Sequence, residues 1–317
     1  MTPNVWVLDR GEPSAEGRLL CDALGERGIT ADTVDWTRLI AQGFPDPSAG
    51  RPALPDLALV RPRVLNRHEG DLALLYDWLG VMEDGGTRVL NTVDSLRRAK
   101  NKVRQAALLA GAGVPVPATR TVRTLDEIAR CLADWGEIVL KPVHGHASLD
   151  VTRMAALGPE RRYRDGSLGL REETVGWHLL RRYGELCAQR FLPSPGRELR
   201  VIVIGGRVVV CSYHRTAELG AAVQGARVLM DPARWEPHEP DAALLALVGR
   251  ALGVLGLDLA SLDLVETPDG HAVIEVNPTV PSWRFFTGTE HDRTGGRITG
   301  IHADLVIDRL KERGDGF

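Results

Sequence analysis

The sequence predicts an α/β unit on an open parallel sheet, followed by two α+β units. Three observations predict this. The first ninety or so residues alternate short apolar strands with helical stretches. Residues 95–110 read as one helix, which ends at Gly111-Ala112-Gly113 ahead of Pro115 and Pro117. The second half carries hairpin turns at Gly205-Gly206 and at Pro268-Asp269-Gly270. Alternation implies parallel strands bridged by helices, whereas tight turns imply antiparallel neighbours.

In order, Val5–Leu8 reads as a strand, Ala15–Arg27 as a helix and Thr30–Asp35 as a strand, and Leu57–Val60, Leu72–Met82 and Val89–Leu90 continue the alternation. The Pro- and Gly-rich segment Phe44–Pro55 reads as a loop. Asp94 or Ser95 caps the helix that follows. Helix Leu125–Trp135, strand Ile138–Lys141, a small-residue loop at His144–Ser148, strand Val151–Met154 and helix Glu173–Tyr183 make the second unit, with the charged Gly158–Glu172 an exposed excursion. Strands Leu186–Phe191, Glu198–Ile204 and Arg207–His214, helix Asp241–Leu252, the Asp263–Asn277 hairpin and helix Ala303–Arg313 make the third. These breaks divide the chain into residues 1–94, 95–186 and 187–317.

A chain of 317 residues with 44% hydrophobic residues can bury several cores, and a net charge of −3 leaves no basic footprint for nucleic acid. The expected partners are small molecules. Cys21, Cys131, Cys187 and Cys211 are scattered, and the N-terminus runs straight into apolar Val5-Trp6-Val7-Leu8 without a basic leader, so the expected setting is the reducing cytoplasm. The apolar stretch Ala242–Ala260 is broken by Arg250, Asp258 and three glycines, which argues against a membrane span. A symmetric homo-oligomer is the expected assembly. The only lysines are Lys100, Lys102, Lys141 and Lys311, among 39 Lys and Arg residues. In such a background a retained lysine marks a place that needs a compact ammonium and not a planar fork.

The hairpin carries the chemistry. Centring it on the turn sets Asp263 opposite Glu275 within one register step, and strand alternation sends Glu275 and Asn277 to the same face. Leu262, Leu264, Val273, Ile274 and Val276 surround them, and buried carboxylates are rare unless paired or bound to metal. Two carboxylates and an amide oxygen, with no His or Cys, suit Mg²⁺, with Mn²⁺ the alternative, and the ion implies a bound ATP.

Lys102 after Asn91-x-x-Asp94, Val139-Leu140-Lys141-Pro142 before a small-residue loop, Gln189-Arg190-Phe191-Leu192, Glu198-Leu199-Arg200, Asp263 and Glu275-Val276-Asn277 stand in one order. In that order the chain resembles the ATP-grasp superfamily, and within it the ribosomal-S6-modification-like ligases that add glutamate or similar amino acids. The resemblance implies an ATP-grasp fold with nucleotide held between the two α+β units. It implies that Lys102 and Lys141 hold phosphates and that Gln189, Arg190, Phe191 and Leu192 line adenine. Glu198 would bind ribose or organise the site, Asp263, Glu275 and Asn277 would hold the metal, and Arg200 and Arg215 would stabilise the reacting phosphoryl group. Arg61, Arg63, His146 and Arg284 are the acceptor-side candidates. The implied reaction joins a carboxylate to an amine through an acyl phosphate, on a free small molecule or one carried by a protein. Two alternatives keep the fold: a small-molecule kinase, and a nucleotide-binding module without turnover. The chain departs from the family in a lid with one glycine and two histidines across residues 142–148, in Arg190 at the hinge acid, and in lacking an Asn near Gln224.

Overall fold

A computed structural model of the chain describes residues 2–41, 54–65, 69–145, 149–156, 168–215 and 235–312. The predicted loop at 44–55 and most of the charged segment from 158 lie outside the described residues.

The first unit runs β1 (Asn4–Asp9), α1 (Ala15–Gly25), β2 (Thr30–Asp35), α2 (Trp36–Ala41), β3 (Leu57–Val60), α3 (Pro62–Leu65), α4 (Glu69–Asp84) and β4 (Arg88–Leu90). Its four strands are parallel in the order β2-β1-β3-β4. Val5, Val7, Leu57 and Leu59 are fully buried, as expected for strands covered on both faces. The Ser14 hydroxyl accepts from the Gly17 N–H and starts α1. The carboxyl ends of β1 and β3 therefore present Asp9 and Arg61 at one edge, where open α/β sheets collect ligands.

The single helix expected over residues 95–110 is two helices, α5 (Val93–Lys100) and α6 (Lys102–Gly111). Asn101 is extended, at φ −87° and ψ 104°, and its side chain accepts from the Arg104 N–H at 2.9 Å, so it caps α6. Apolar periodicity continues across the break, but a side chain that competes for backbone N–H groups restarts the helix. The kink places Lys100 and Lys102 either side of Asn101.

Next come β5 (Thr119–Val122), α7 (Leu125–Trp135), β6 (Glu137–Pro142), β7 (Thr152–Ala155), α8 (Leu170–Tyr183) and β8 (Leu186–Arg190). The strands form an antiparallel sheet in the order β5-β8-β6-β7. α7 opens with a full capping box from Thr124 and Glu127. α8 begins at Leu170, so Leu170–Glu172, expected as exposed irregular chain, are its first turn.

The largest sheet takes β9 (Arg197–Ile204), β10 (Arg207–Arg215), β11 (Trp235–Pro237), β12 (Leu259–Thr267) and β13 (Gly270–Asn277) in the order β11-β10-β9-β12-β13. Gly205 and Gly206 turn β9 into β10 at φ +55° and +72°, the positive pair a two-residue hairpin requires. α9 (Ala242–Leu255) packs with α5 and α6 on one face, over Leu199, Val201, Val203 and Leu262. A 3₁₀ turn (Trp283–Phe285) and α10 (Ile298–Lys311) cover part of the other, with Trp283, Phe286 and Val306 against Ile202 and Ile204. α10 starts at Ile298, ahead of its expected beginning at Ala303. Among the described residues no helix is long and apolar enough to cross a membrane.

Asn91 ties the first unit to the third. Its amide nitrogen donates to the carbonyls of Leu259 and Pro278 at 2.7 and 2.9 Å, and its oxygen accepts from the N–H groups of Asp258 and Leu259 at 2.7 and 3.0 Å. The side chain is buried, so truncation strands backbone groups that water cannot reach. Asn91→Ala is expected to lower unfolding stability by about 3–4 kcal/mol, measured by urea titration; a loss below about 1 kcal/mol would show that water replaces the amide.

Candidate active site

Three adjacent strands build the centre. Asp263 on β12 is paired with Glu275 on β13, as the turn-centred register predicts, and with Arg200 on β9. On the far side of β9, Arg200 is paired with Ser212 of β10. Ser212, Arg200, Asp263 and Glu275 thus form one row across the sheet. A bulge beside Asp263 skips Ile274 in the β12–β13 pairing, and Asn277, opposite Ser261, returns to the face of Glu275. The Arg200 guanidinium grips Asp263 through two bonds, Nε to Oδ1 at 2.7 Å and Nη2 to Oδ2 at 3.1 Å.

Lys102 and Lys141 reach the row from the second sheet's side. The backbone N–H of Lys102 donates to the Val143 carbonyl at 3.1 Å, and its Nζ donates to the Gly145 carbonyl at 2.9 Å. The same Nζ lies 3.0 Å from Glu275 Oε1. Lys102 therefore links the loop after β6 directly to β13. Lys141, buried on β6, donates to Gln189 Oε1 at 2.9 Å, while Gln189 Nε2 donates to Thr119 Oγ1 at 3.2 Å. The Gln189 side chain is thus spent on orienting Lys141. The N–H groups of Arg190 and Phe191 donate to the carbonyls of Ala118 and Glu137. Gln105 braces β13 from α6: its amide donates to the Val276 carbonyl at 2.7 Å and accepts from the Val276 N–H at 2.9 Å, between Glu275 and Asn277.

The site is electrostatically polarised. Burial alone would raise the Glu275 carboxyl, but Lys102, Lys141 and Lys100 outweigh it and hold it at about 2. Burial and the neighbouring Asp263 push Glu198 up to about 7, against the opposing pull of Arg200 and Lys141. His214, paired in register with Glu198, is held down to about 4 by burial and by Arg200. Its Nε2 lies 3.7 Å from Glu198 Oε2. Burial pulls the Arg200 pKa down, yet Asp263 more than compensates and raises it.

Folding raises Glu198, so the folded state favours its protonated form. That contribution is complete below its ordinary value of 4.5 and is lost as pH rises through about 7. The side chain is 31% exposed; discounted for that, the loss is on the order of 1–2 kcal/mol. Glu198→Gln is expected to flatten the fall in Tm between about pH 5 and about pH 8; an equal fall in both proteins would contradict the assignment.

The donor set fits a hard divalent cation. Asp263, Glu275 and Asn277 offer oxygen alone, on one face of one hairpin, and both carboxylates already attract cations, Asp263 from Arg200 and Glu275 from Lys102. Among the described residues no three His, Cys, Asp or Glu side chains could hold a metal, so the Asn277 amide is needed for a third protein ligand.

A second charged cluster lies at the junction of the first and third units. Arg61 is 4% exposed and stacks over Trp283 with its guanidinium 4.5 Å from the ring centroid. Its Nη1 donates to the Val280 carbonyl at 3.3 Å. Arg284 Nε lies 3.5 Å from Glu16 Oε1, and Arg63 Nη1 lies 3.6 Å from Asp9 Oδ1. Burial draws the Arg61 guanidinium down to about 10, against Glu16 and Asp9. Arg61 Nε and Glu16 Oε1 are buried without a hydrogen-bond partner.

Of the residues singled out from sequence, Lys102, Lys141, Gln189, Glu198, Arg200, Asp263, Glu275 and Asn277 gather around the β9–β12–β13 row. Arg61, Arg63 and Arg284 gather at the second cluster. Arg190 is exposed, and Phe191 carries the Arg153 guanidinium 3.7 Å from its ring centroid. Arg215 is paired with Arg197, three positions along β10 from the Ser212 that faces Arg200. His146 and the region of Gln224 lie outside the described residues. Sequence reasoning passed over Lys100, Gln105, His214 and Glu16. Only Lys100 carried a signal, the scarcity of lysine.

A family model described as an ATP-grasp domain, the third family of its clade, matches residues 144–295. The chain is 34% identical over 163 residues to a tetrahydromethanopterin:α-L-glutamate ligase of Methanosarcina acetivorans, covering 51% of this chain and 49% of that protein. It thus spans about half the length of that relative. It is 27% identical over 288 residues to a probable α-L-glutamate ligase of Xanthomonas oryzae, covering 87% of this chain and 89% of the relative. In structure it is similar to the D-cycloserine synthetase DcsG, with a TM-score of 0.71 and 22% identity over 97% of this chain and 99% of that one.

Proposed function

Because the chain belongs to the ATP-grasp superfamily, we propose that it is an ATP-dependent ligase joining a carboxylate to an amine, with ADP and phosphate released. The observation that carries this reading is the Arg200–Asp263–Glu275 row met by Lys102 from α6, with Lys141 close enough to depress the Glu275 pKa. Such a row offers oxygens for a cation and nitrogens for a polyphosphate at one place.

In this reading Lys102 and Lys141 hold the phosphates, and Asp263, Glu275 and Asn277 hold Mg²⁺, which when bound neutralises charge on the phosphate oxygens. Arg200 turns its fork toward the phosphoryl group as it passes to the substrate carboxylate, and it then steadies the acyl phosphate. Displacement by an amine releases phosphate. Glu198 faces the ribose or the nucleotide's polar edge. The side chain of Gln189 and the N–H groups of Arg190 and Phe191 are already occupied, so the backbone from Leu192 onward meets adenine. No protein nucleophile is required, because positioning and electrostatics supply the catalysis. The loop from Val143 closes over the site and keeps water from the acyl phosphate.

The second cluster serves the acceptor. Arg61, Arg63 and Arg284 suit a carboxylate, and Glu16 suits the amine, which would complete its partnerless oxygen. Glu16→Gln is expected to raise KM for the amine substrate about tenfold, with KM for ATP changed less than about twofold. Equal rises in both constants would place Glu16 in the fold and not at the acceptor.

Hydroxylamine tests the reaction. Incubated with ATP, Mg²⁺ and a panel of amino acids without other amines, the enzyme should release ADP and trap a hydroxamate. A stable phosphorylated product would point instead to a kinase.

A further inference from the structure

Three of the chain's four lysines converge on one carboxylate. Lys102 contacts Glu275 at 3.0 Å, and Lys141 and Lys100 both lower the Glu275 pKa by their charge. Lys102 and Lys141 have hydrogen-bond acceptors, the Gly145 carbonyl and Gln189 Oε1. Lys100 is different. It is the last residue of α5, it is 6% exposed, and its ammonium has no hydrogen-bond or ion-pair partner among the described residues. Burial and repulsion from Lys102 press its pKa down to about 8, against the pull of Glu275.

A buried ammonium without a partner is unfavourable, and a folded protein retains one where a ligand completes it. The surrounding charges say which ligand. Asp263 is neutralised by Arg200, which leaves Glu275 and Glu198 to face three ammoniums. An anion of more than one charge would balance the site. Because the backbone breaks at Asn101, Lys100 and Lys102 come from different helices and approach Glu275 from separate directions. Two such ammoniums suit different oxygens of one phosphate chain better than a single flat carboxylate.

We propose that Lys100 is a third phosphate-binding ammonium of this site, paired to phosphoryl oxygens when a polyphosphate is bound. The inference rests on the nucleotide reading for the identity of that polyphosphate. It differs from the alternative role of a cation at a helix C-terminus, where Lys100 would stabilise α5 whether or not ligand is present. The two roles predict opposite effects on the ligand-free protein.

Lys100→Met keeps the apolar stem and removes the charge. Without ligand its Tm is expected to rise by about 2–5 °C, since an uncompensated buried charge is gone. Its Kd for a Mg²⁺-loaded non-hydrolysable ATP analogue, measured by isothermal titration calorimetry, is expected to rise about 10–100-fold. Inorganic tripolyphosphate should weaken in parallel. Lys311→Met, at the exposed end of α10, is the control and should leave both affinities unchanged. Unchanged affinity of Lys100→Met for the analogue would overturn the inference and leave the nucleotide reading intact. If the wild type binds tripolyphosphate but no nucleotide, and Lys100→Met loses the tripolyphosphate, the anion site stands and the nucleotide reading falls.

Discussion

Glu275→Gln is expected to reduce ATP turnover by about 10³-fold or more while the far-UV circular dichroism stays that of the wild type. The amide keeps the shape of the side chain and removes the charge on which Lys102, Lys141 and Lys100 converge. Its weaker oxygen would hold a divalent ion poorly, and the three ammoniums would repel the ion further. The change should also appear in stability. Folding depresses the Glu275 pKa from 4.5 to about 2, so its ionised form contributes stability that is complete above 4.5 and is lost as pH falls toward 2. With a side chain 26% exposed, that contribution is at most about 3 kcal/mol. Glu275→Gln should therefore be less stable at neutral pH and less sensitive to acid. Steady-state ADP release checks the first expectation and urea titrations across the acid range check the second. Full activity in the variant would refute the site assignment.

Lys141→Ala is expected to lower kcat/KM for ATP by about 10²–10³-fold with the fold retained. Lys141 sits on β6, where Pro142 pairs with Leu186 and Lys141 with Cys187, so its backbone does not depend on its side chain. What the substitution leaves is a buried Gln189 oxygen without its donor, at a cost of about 1–2 kcal/mol, partly offset by removal of a buried charge. A loss confined to stability would show that Lys141 serves the sheet. Lys141→Arg should not rescue turnover, because the planar fork cannot occupy the place of a compact ammonium beside Gln189.

The hairpin was readable from sequence because a Pro-Asp-Gly turn sets the register locally, and the Asp263–Glu275 pair follows by counting. The parallel sheet of the first unit was readable for a similar reason: each strand is a short apolar run bounded by turn residues. The split between α5 and α6 was not, since Asn101 acts through a capping geometry that apolar periodicity does not register. β5 escaped because Thr119-Arg120-Thr121-Val122 is a short edge strand, recognisable only beside β8. The Arg200–Asp263 bond depends on β9 lying next to β12, a sheet order that local pattern does not encode. Glu16 was hidden because its role arises from Arg284, which arrives from the far end of the chain.

Arg200 and Lys102 now neutralise the two carboxylates assigned to the metal. A bound ion would take over that task and free both cations for phosphate. A crystal structure with Mg²⁺ and a non-hydrolysable ATP analogue tests this most directly. It is predicted to hold an ion on oxygens of Asp263, Glu275 and Asn277, with Lys102 and Arg200 turned onto phosphate oxygens. Nucleotide bound elsewhere, or an empty pocket with the Arg200–Asp263 and Lys102–Glu275 pairs unchanged, would contradict it.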